Sequence, residues 1–189
     1  MKSKWNLKTI ILMTLTALIC GVIYWLISFL YTFCSAILTP FGLAPMANDL
    51  TQGPWILAGT LIGCLFQMPG SAFFGQFLSS IIETFIGDKG GIMDAVSGIF
   101  DGIGTELGFL ITGYRKYNHF TLALTSLLTT VSTFGYSWLF DGYRFLNLGL
   151  LTLLFCVRFI SIFVVSDFLT LGIIKLLRQS GALSLIQSK

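Results

Sequence analysis

Charge is what this sequence has least of. Of its 189 residues only 10% are Asp, Glu, Lys or Arg, while 55% are hydrophobic. Soluble domains carry roughly 25% charged residues, enough to wet a surface. A water-facing shell is therefore excluded, and the mean hydropathy of +0.87 agrees. Histidine occurs once, at His119, and the four cysteines (Cys20, Cys34, Cys64, Cys156) lie inside or beside apolar runs with no ligand spacing. Metal chemistry and general acid–base chemistry thus have little to work with, and the cysteines read as small buried hydrophobes. No P-loop, zincin motif or nucleophile elbow occurs, which leaves ATP hydrolysis, zinc proteolysis and serine hydrolysis without a seat. Tandem repeats with broken midplane helices, the mark of many secondary carriers, are also missing. The first apolar run is too long for a signal-peptide core of about 7–15 residues, so no cleavable signal is expected. The net charge of +3 is too small to argue for nucleic acid.

What is present is a series of apolar runs. A spanning helix needs roughly 20 mostly apolar residues. Runs at 8–33, 54–66, 71–86, 92–112, 120–140 and 145–177 predict an all-α, polytopic membrane protein of six transmembrane helices, a single domain over 1–189. The second run is short, so it borrows loop residues or lies oblique. The sixth exceeds what a bilayer requires, so it tilts, kinks near Gly172 or emerges into the cytoplasm. Pro40, Gly42, Pro45, Asn48, Asp49 and Gly53 predict a long first loop over 34–53, roofing an outward-facing cavity. Lys2, Lys4, Lys8, Arg115, Lys116, Lys175, Arg178 and Lys189 fall on one side of such a bundle, and Lys89 and Arg144 on the other. Cytoplasmic loops carry the cation excess, so both termini are expected in the cytoplasm.

Ionisable groups inside a membrane are costly and draw functional suspicion. Six qualify: Glu83, Asp94, Asp101, Glu106, Arg158 and Asp167. Glu83 sits near the outer surface with no obvious cation except Lys89, and a ligand role is favoured over a pair with that lysine or a solvated helix end. Asp94 reads as a cap on the fourth helix. Asp101, two turns deeper on the stripe Asp94, Gly98, Asp101, Thr105, Gly108, is open to either role. Glu106 and Arg158 each lie roughly 14 residues from the outer end of their helices, and this matched depth predicts a structural ion pair. Asp167 lies toward the cytoplasm, within reach of Lys175 or Arg178. Trp55, Tyr136, Trp138, Phe140 and Tyr143 gather at outer helix ends. Singly each is an interfacial anchor. Together with an unpaired acid they suit a planar, cationic heteroaromatic ligand, which a carboxylate can hold by paired hydrogen bonds. Ala17 and Gly21 form a small-xxx-small pair on helix one, suited to docking a partner helix or to packing within the bundle.

At Met68-Pro69-Gly70-Ser71-Ala72, Glu83-Thr84-Phe85-Ile86-Gly87 and Gly98-Ile99-Phe100-Asp101-Gly102-Ile103-Gly104-Thr105-Glu106 the sequence resembles the YkoE family. Gly53-Pro54-Trp55, Phe134, Tyr136, Gly142, Tyr143 and Val157-Arg158-Phe159-Ile160-Ser161 match in spacing, so the resemblance runs from about Lys8 to Ser161. It implies a substrate-binding S component of an energy-coupling-factor transporter in the bacterial plasma membrane. Such a subunit captures thiamine or its hydroxymethylpyrimidine precursor. It is no enzyme and has no cofactor of its own. Its partners are a transmembrane coupling (T) subunit and two cytoplasmic ATPase subunits. Glu83 and Glu106 both match the family's acids, so Glu106 stands with Glu83, Trp55, Tyr136 and Tyr143 as a substrate-binding candidate, and Trp55 stands at the family's tryptophan position. Asp101 replaces a glutamine, so no role carries over to it. The alternatives are a stand-alone secondary carrier or channel for a small cationic solute, or a membrane enzyme or scaffold, which the lack of a catalytic cluster disfavours.

Overall fold

The computed structural model describes residues 5–88, 90–114 and 118–181, without the side chains of 166 and 167. Eight α-helices occur among them: α1 Leu7–Leu38, α2 Ala44–Trp55, α3 Leu57–Phe66, α4 Ser71–Ile86, α5 Ile92–Ile111, α6 His119–Phe140, α7 Leu148–Ser161 and α8 Phe168–Gln179. No strand is found among the described residues. Only Ile56 separates α2 from α3, and a π-helical turn, Ile162–Asp167, joins α7 to α8. The eight helices therefore make six rods. α4 packs between α1 and α5, α5 between α4 and α6, and α2 against α1 and α7.

The distribution of side chains is inverted relative to a soluble protein. Arg158, Asp49, Gln76, Ser79, Thr105 and Thr129 are fully buried, while Leu15, Ile19, Leu26, Phe29 and Phe33 stand exposed along α1. Large continuous apolar surface of this kind needs a non-aqueous surround. α1 and the α7–α8 rod are each long and apolar enough to cross a membrane, and α4 is a shorter apolar helix. Buried threonine hydroxyls of α6 are satisfied within their own helix. Thr125 donates to the Thr121 carbonyl at 2.9 Å, Thr129 to Thr125 at 2.8 Å and Thr130 to Ser126 at 2.7 Å. This lets α6 turn a polar face inward without unpaired donors. Close approach of α5 to α6 depends on Gly104, where a Cβ would stand 2.6 Å from the Thr129 Cα.

Sequence and structure part company in three places. The long first loop is largely helix: α1 runs on to Leu38, a 3-10 turn covers Thr39–Phe41, and α2 begins at Ala44. Pro45 occupies the first turn of α2, where a missing N–H is harmless. The polar residues that suggest a loop point into the bundle: Asp49 and Gln52 are buried. The segment 34–53 therefore does not roof the cavity described below as a loop; α2 forms part of its wall. Second, Ala17 and Gly21 are not a docking face. Ala17 is fully buried, its carbonyl accepts from Ser79 Oγ at 2.9 Å, and a Cβ on Gly21 would meet the Ile82 side chain of α4 at 2.7 Å. The small pair admits α4, so the internal packing alternative holds. Third, the last rod is irregular at Ile162–Asp167 rather than near Gly172. Cys20 and Cys64 are buried as expected, but Cys156 is exposed on the apolar outer face. Lys2, Lys4, Lys89, Arg115, Lys116, Lys189 and the side chain of Asp167 lie outside the described residues.

Candidate functional site

A cavity of about 510 Å³ opens at the end of the bundle where α1, α4 and α6 finish and α2, α5 and α7 begin. All six rods contribute to its wall. That volume lies within the range of about 300–1,000 Å³ usual for small-molecule sites.

Glu83 and Trp55 are fixed against each other on one wall. Trp55 Nε1 donates to Glu83 Oε1 at 3.0 Å, and Ser28 Oγ donates to the same oxygen at 3.3 Å. Glu83 Oε2 accepts nothing from the described residues, so the carboxylate is oriented by one oxygen with the other left over. Trp55 is itself held by the break between α2 and α3. Pro54 and the restart at Leu57 orphan several backbone groups there. Gln76 Nε2 donates to the Trp55 carbonyl at 2.6 Å, its Oε1 accepts from the Gly59 amide at 2.9 Å, and Tyr24 Oη accepts from the Ala58 amide at 2.8 Å. Tyr24 Oη in turn donates to Gln76 Oε1 at 2.9 Å. The ring of Tyr31 lies 5.8 Å from that of Trp55.

The other wall is built around Arg158. Its Nε donates to Asp49 Oδ1, its Nη2 to Ser137 Oγ at 2.8 Å and more weakly to Tyr143 Oη at 3.4 Å. Tyr143 Oη donates to Asp49 Oδ2 at 2.9 Å, and the Phe134 and Tyr143 rings lie 5.3 Å and 5.5 Å from the guanidinium carbon. Arg158 and Asp49 are wholly buried, so each charge depends on the other. Tyr136 completes this side, packed on Phe100 at 5.5 Å and Phe140 at 5.0 Å.

The predicted Glu106–Arg158 pair is not formed. α7 starts at Leu148, after the Tyr143–Phe145 turn, rather than at 145. Arg158 is then 158 − 148 = 10 residues into its helix, whereas Glu106 is 106 − 92 = 14 residues into α5. At about 1.5 Å per residue that is roughly 15 Å against roughly 21 Å. Glu106 reaches the opposite end of α4 and caps it. Its carboxylate accepts from the Gly70 amide at 2.6 Å, the Phe73 amide at 3.2 Å and Tyr114 Oη at 2.7 Å. Those amides are orphan donors of a helix N-terminus, so the acid has a structural partner without any arginine.

Of the sequence candidates, Glu83, Trp55, Tyr136 and Tyr143 share the cavity, together with Asp94 and Asp101; Glu106, Trp138 and Phe140 do not line it. Asp94 is partly buried in the first turn of α5. Sequence reasoning passed over Asp49 and Gln52, hidden in the expected loop, and over Tyr24, Ser28 and Gln76. A signal existed for these last three. Tyr24, Ser28 and Tyr31, and likewise Gln76, Ser80 and Glu83, recur at i, i+4, i+7, a polar stripe on one helical face.

Five of the described lining residues are acids (Glu83, Asp88, Asp94, Asp101, Asp141), against one cation, Arg158, already paired. Such a wall attracts positive charge. A family model described as the permease component of the ABC-type cobalt transport system matches residues 8–132. The chain belongs to this family of transport permeases. It is 27% identical over 184 residues, 97% of its own length and 89% of the relative's, to YkoE of Bacillus subtilis (strain 168), named as an HMP/thiamine permease protein. A crystal structure of an S-component of an ECF transporter superposes with a TM-score of 0.87 at 25% identity, covering 96% of this chain and 89% of the other. The likeness to YkoE read from the motifs is thereby borne out, and the protein is a membrane transport component with the S-component fold. Although the family description names cobalt, no group of three or more His, Cys, Asp or Glu among the described residues is arranged to hold a metal ion.

Proposed function

We propose that this chain captures thiamine, or its hydroxymethylpyrimidine precursor, as the substrate-binding membrane subunit of an energy-coupling-factor transporter. The observation that carries this reading is the Trp55–Glu83 pair in an acid-lined cavity. The indole holds one carboxylate oxygen at 3.0 Å, and the second oxygen accepts nothing from the described residues. A carboxylate with an unused oxygen beside aromatic rings suits the donor edge of an aminopyrimidine. The surplus of acids suits the positive charge of the thiazolium. The name of the Bacillus subtilis relative supports the same class of ligand.

The chain works as one six-span domain, its cavity end outward and both termini in the cytoplasm. Lys8, Lys175 and Arg178 stand at or near the far end from the cavity, and Arg144 at the cavity end. That asymmetry obeys the cation rule for cytoplasmic loops. A transmembrane coupling subunit and a pair of cytoplasmic ATPases supply the driving force, because this chain is a binding subunit and not an enzyme.

Calorimetric titration of the purified protein with thiamine, hydroxymethylpyrimidine and riboflavin tests the assignment. Saturable binding of either of the first two, with no binding of riboflavin, is the expected result. Binding of neither refutes it.

A further inference from the structure

We infer that Asp101 is a specificity-determining residue at the deep end of the cavity, selecting a ligand that brings a free hydroxyl or amino donor there and rejecting the phosphate ester of that ligand. This rests on the reading of the site as a vitamin pocket and narrows it.

Asp101 is only 4% exposed, yet it lines the cavity. It lies nine residues into α5 and Glu83 three residues from the end of α4, and only residues 87–91 separate the two helices in the chain. At about 1.5 Å per residue the two acids are offset along the bundle by roughly 9 Å. The Asp101 carboxylate has room for about four hydrogen bonds. Gln52 Nε2 supplies one long one, at 3.5 Å. Gln76 lies alongside: its amide nitrogen gives one hydrogen to the Trp55 carbonyl at 2.6 Å and has the second for Asp101, which still leaves the carboxylate below its capacity. Arg158 is the cation among the described lining residues; it spends Nε on Asp49 and Nη2 on Ser137 and Tyr143, which leaves Nη1 as its remaining donor nitrogen.

A buried acceptor left short of donors takes them from whatever enters the cavity. With Glu83 oriented at one end and Asp101 short of partners at the other, the cavity favours an elongated ligand with a donor at each extremity. In hydroxymethylpyrimidine the amino and hydroxymethyl groups sit on adjacent ring carbons and cannot span the two acids; thiamine carries its amino group at one end and a hydroxyl at the other, and so fits both. Esterifying that hydroxyl replaces a donor by a group bearing about −1.5 to −2 charges. Placed against Asp101 it meets a like charge in a poorly solvated site, and the one nearby guanidinium is neutralised by Asp49.

The test uses the full chain in detergent, titrated with thiamine and with thiamine monophosphate, as wild type, Asp101→Asn and, as a second variant of different shape, Asp101→Gln. Wild type should bind thiamine at least about tenfold more tightly than the monophosphate. Both variants should lose about tenfold or more for thiamine and change by less than about threefold for the monophosphate, so that the preference collapses. The ligand-free melting temperature should stay level or rise, because a costly buried charge is removed. A preference kept intact in the variants overturns the inference. So does a drop in ligand-free melting temperature with unchanged affinities, which would make Asp101 a counter-charge to Arg158. If wild type binds thiamine and the variants keep its preference, this inference falls alone. If wild type binds neither compound, the vitamin assignment falls and this inference with it.

Discussion

Replacing Asp49 by asparagine removes the charge that answers Arg158 and barely alters the shape. Arg158 is fully buried, and it would keep a neutral amide oxygen in place of the carboxylate, Ser137 at 2.8 Å, Tyr143 at 3.4 Å and the faces of Phe134 and Tyr143. Neutral hydroxyls and rings do not replace a carboxylate for a desolvated guanidinium. Breaking a buried pair costs about 3–5 kcal/mol. For a chain of this size each kcal/mol moves the melting temperature by about 2–4 °C, so Asp49→Asn should melt roughly 6–20 °C lower. Removing both charges avoids the stranded cation, so Asp49→Asn with Arg158→Met should recover a good part of the loss. Glu106→Gln should show no such rescue by Arg158→Met, because Glu106 bonds to Gly70, Phe73 and Tyr114 instead. Thermal unfolding in detergent, followed by tryptophan fluorescence, measures all of these in one series. The reasoning fails if Asp49→Asn melts within about 2 °C of wild type, well under the loss expected for a broken buried pair. It fails equally if Arg158→Met rescues Glu106→Gln and leaves Asp49→Asn unrescued.

Three further outcomes follow from the geometry. Glu83→Gln should weaken thiamine by roughly 10- to 150-fold, the worth of a hydrogen bond to a charged group, with little change in melting temperature; unchanged affinity would remove Glu83 from the site. Glu106→Gln should lower stability by about 0.5–2 kcal/mol, the range for a lost helix cap, and leave thiamine affinity alone; a lost affinity with intact stability would reverse the roles of the two acids. Ala17→Leu should abolish both binding and uptake, because the added side chain meets α4; uptake lost with binding spared would restore a partner-docking role for this face.

The sequence by itself decided the class of molecule. Apolar runs with few charges determine a membrane bundle, since each helix satisfies its own backbone and needs only about 20 apolar residues to cross. The bounds of α4, Ser71–Ile86, coincide with those read from the turn residues on either side. The motifs around Glu83 and Glu106 were enough to point to the right family, and the sharing of one cavity by Trp55, Glu83, Tyr136 and Tyr143 was legible from their common end of the bundle. Tertiary structure alone decided which charges meet. Depth counted from approximate helix ends carries an error of a turn, and a turn moves a side chain by about 5.4 Å. That was enough to mispair Arg158. Polarity likewise hid α2, because residues that face a polar interior look the same in sequence as residues that face water. Asp49 and Gln52 became tolerable inside the bundle only when α7 and α5 closed on them, Arg158 answering the first and Asp101 the second.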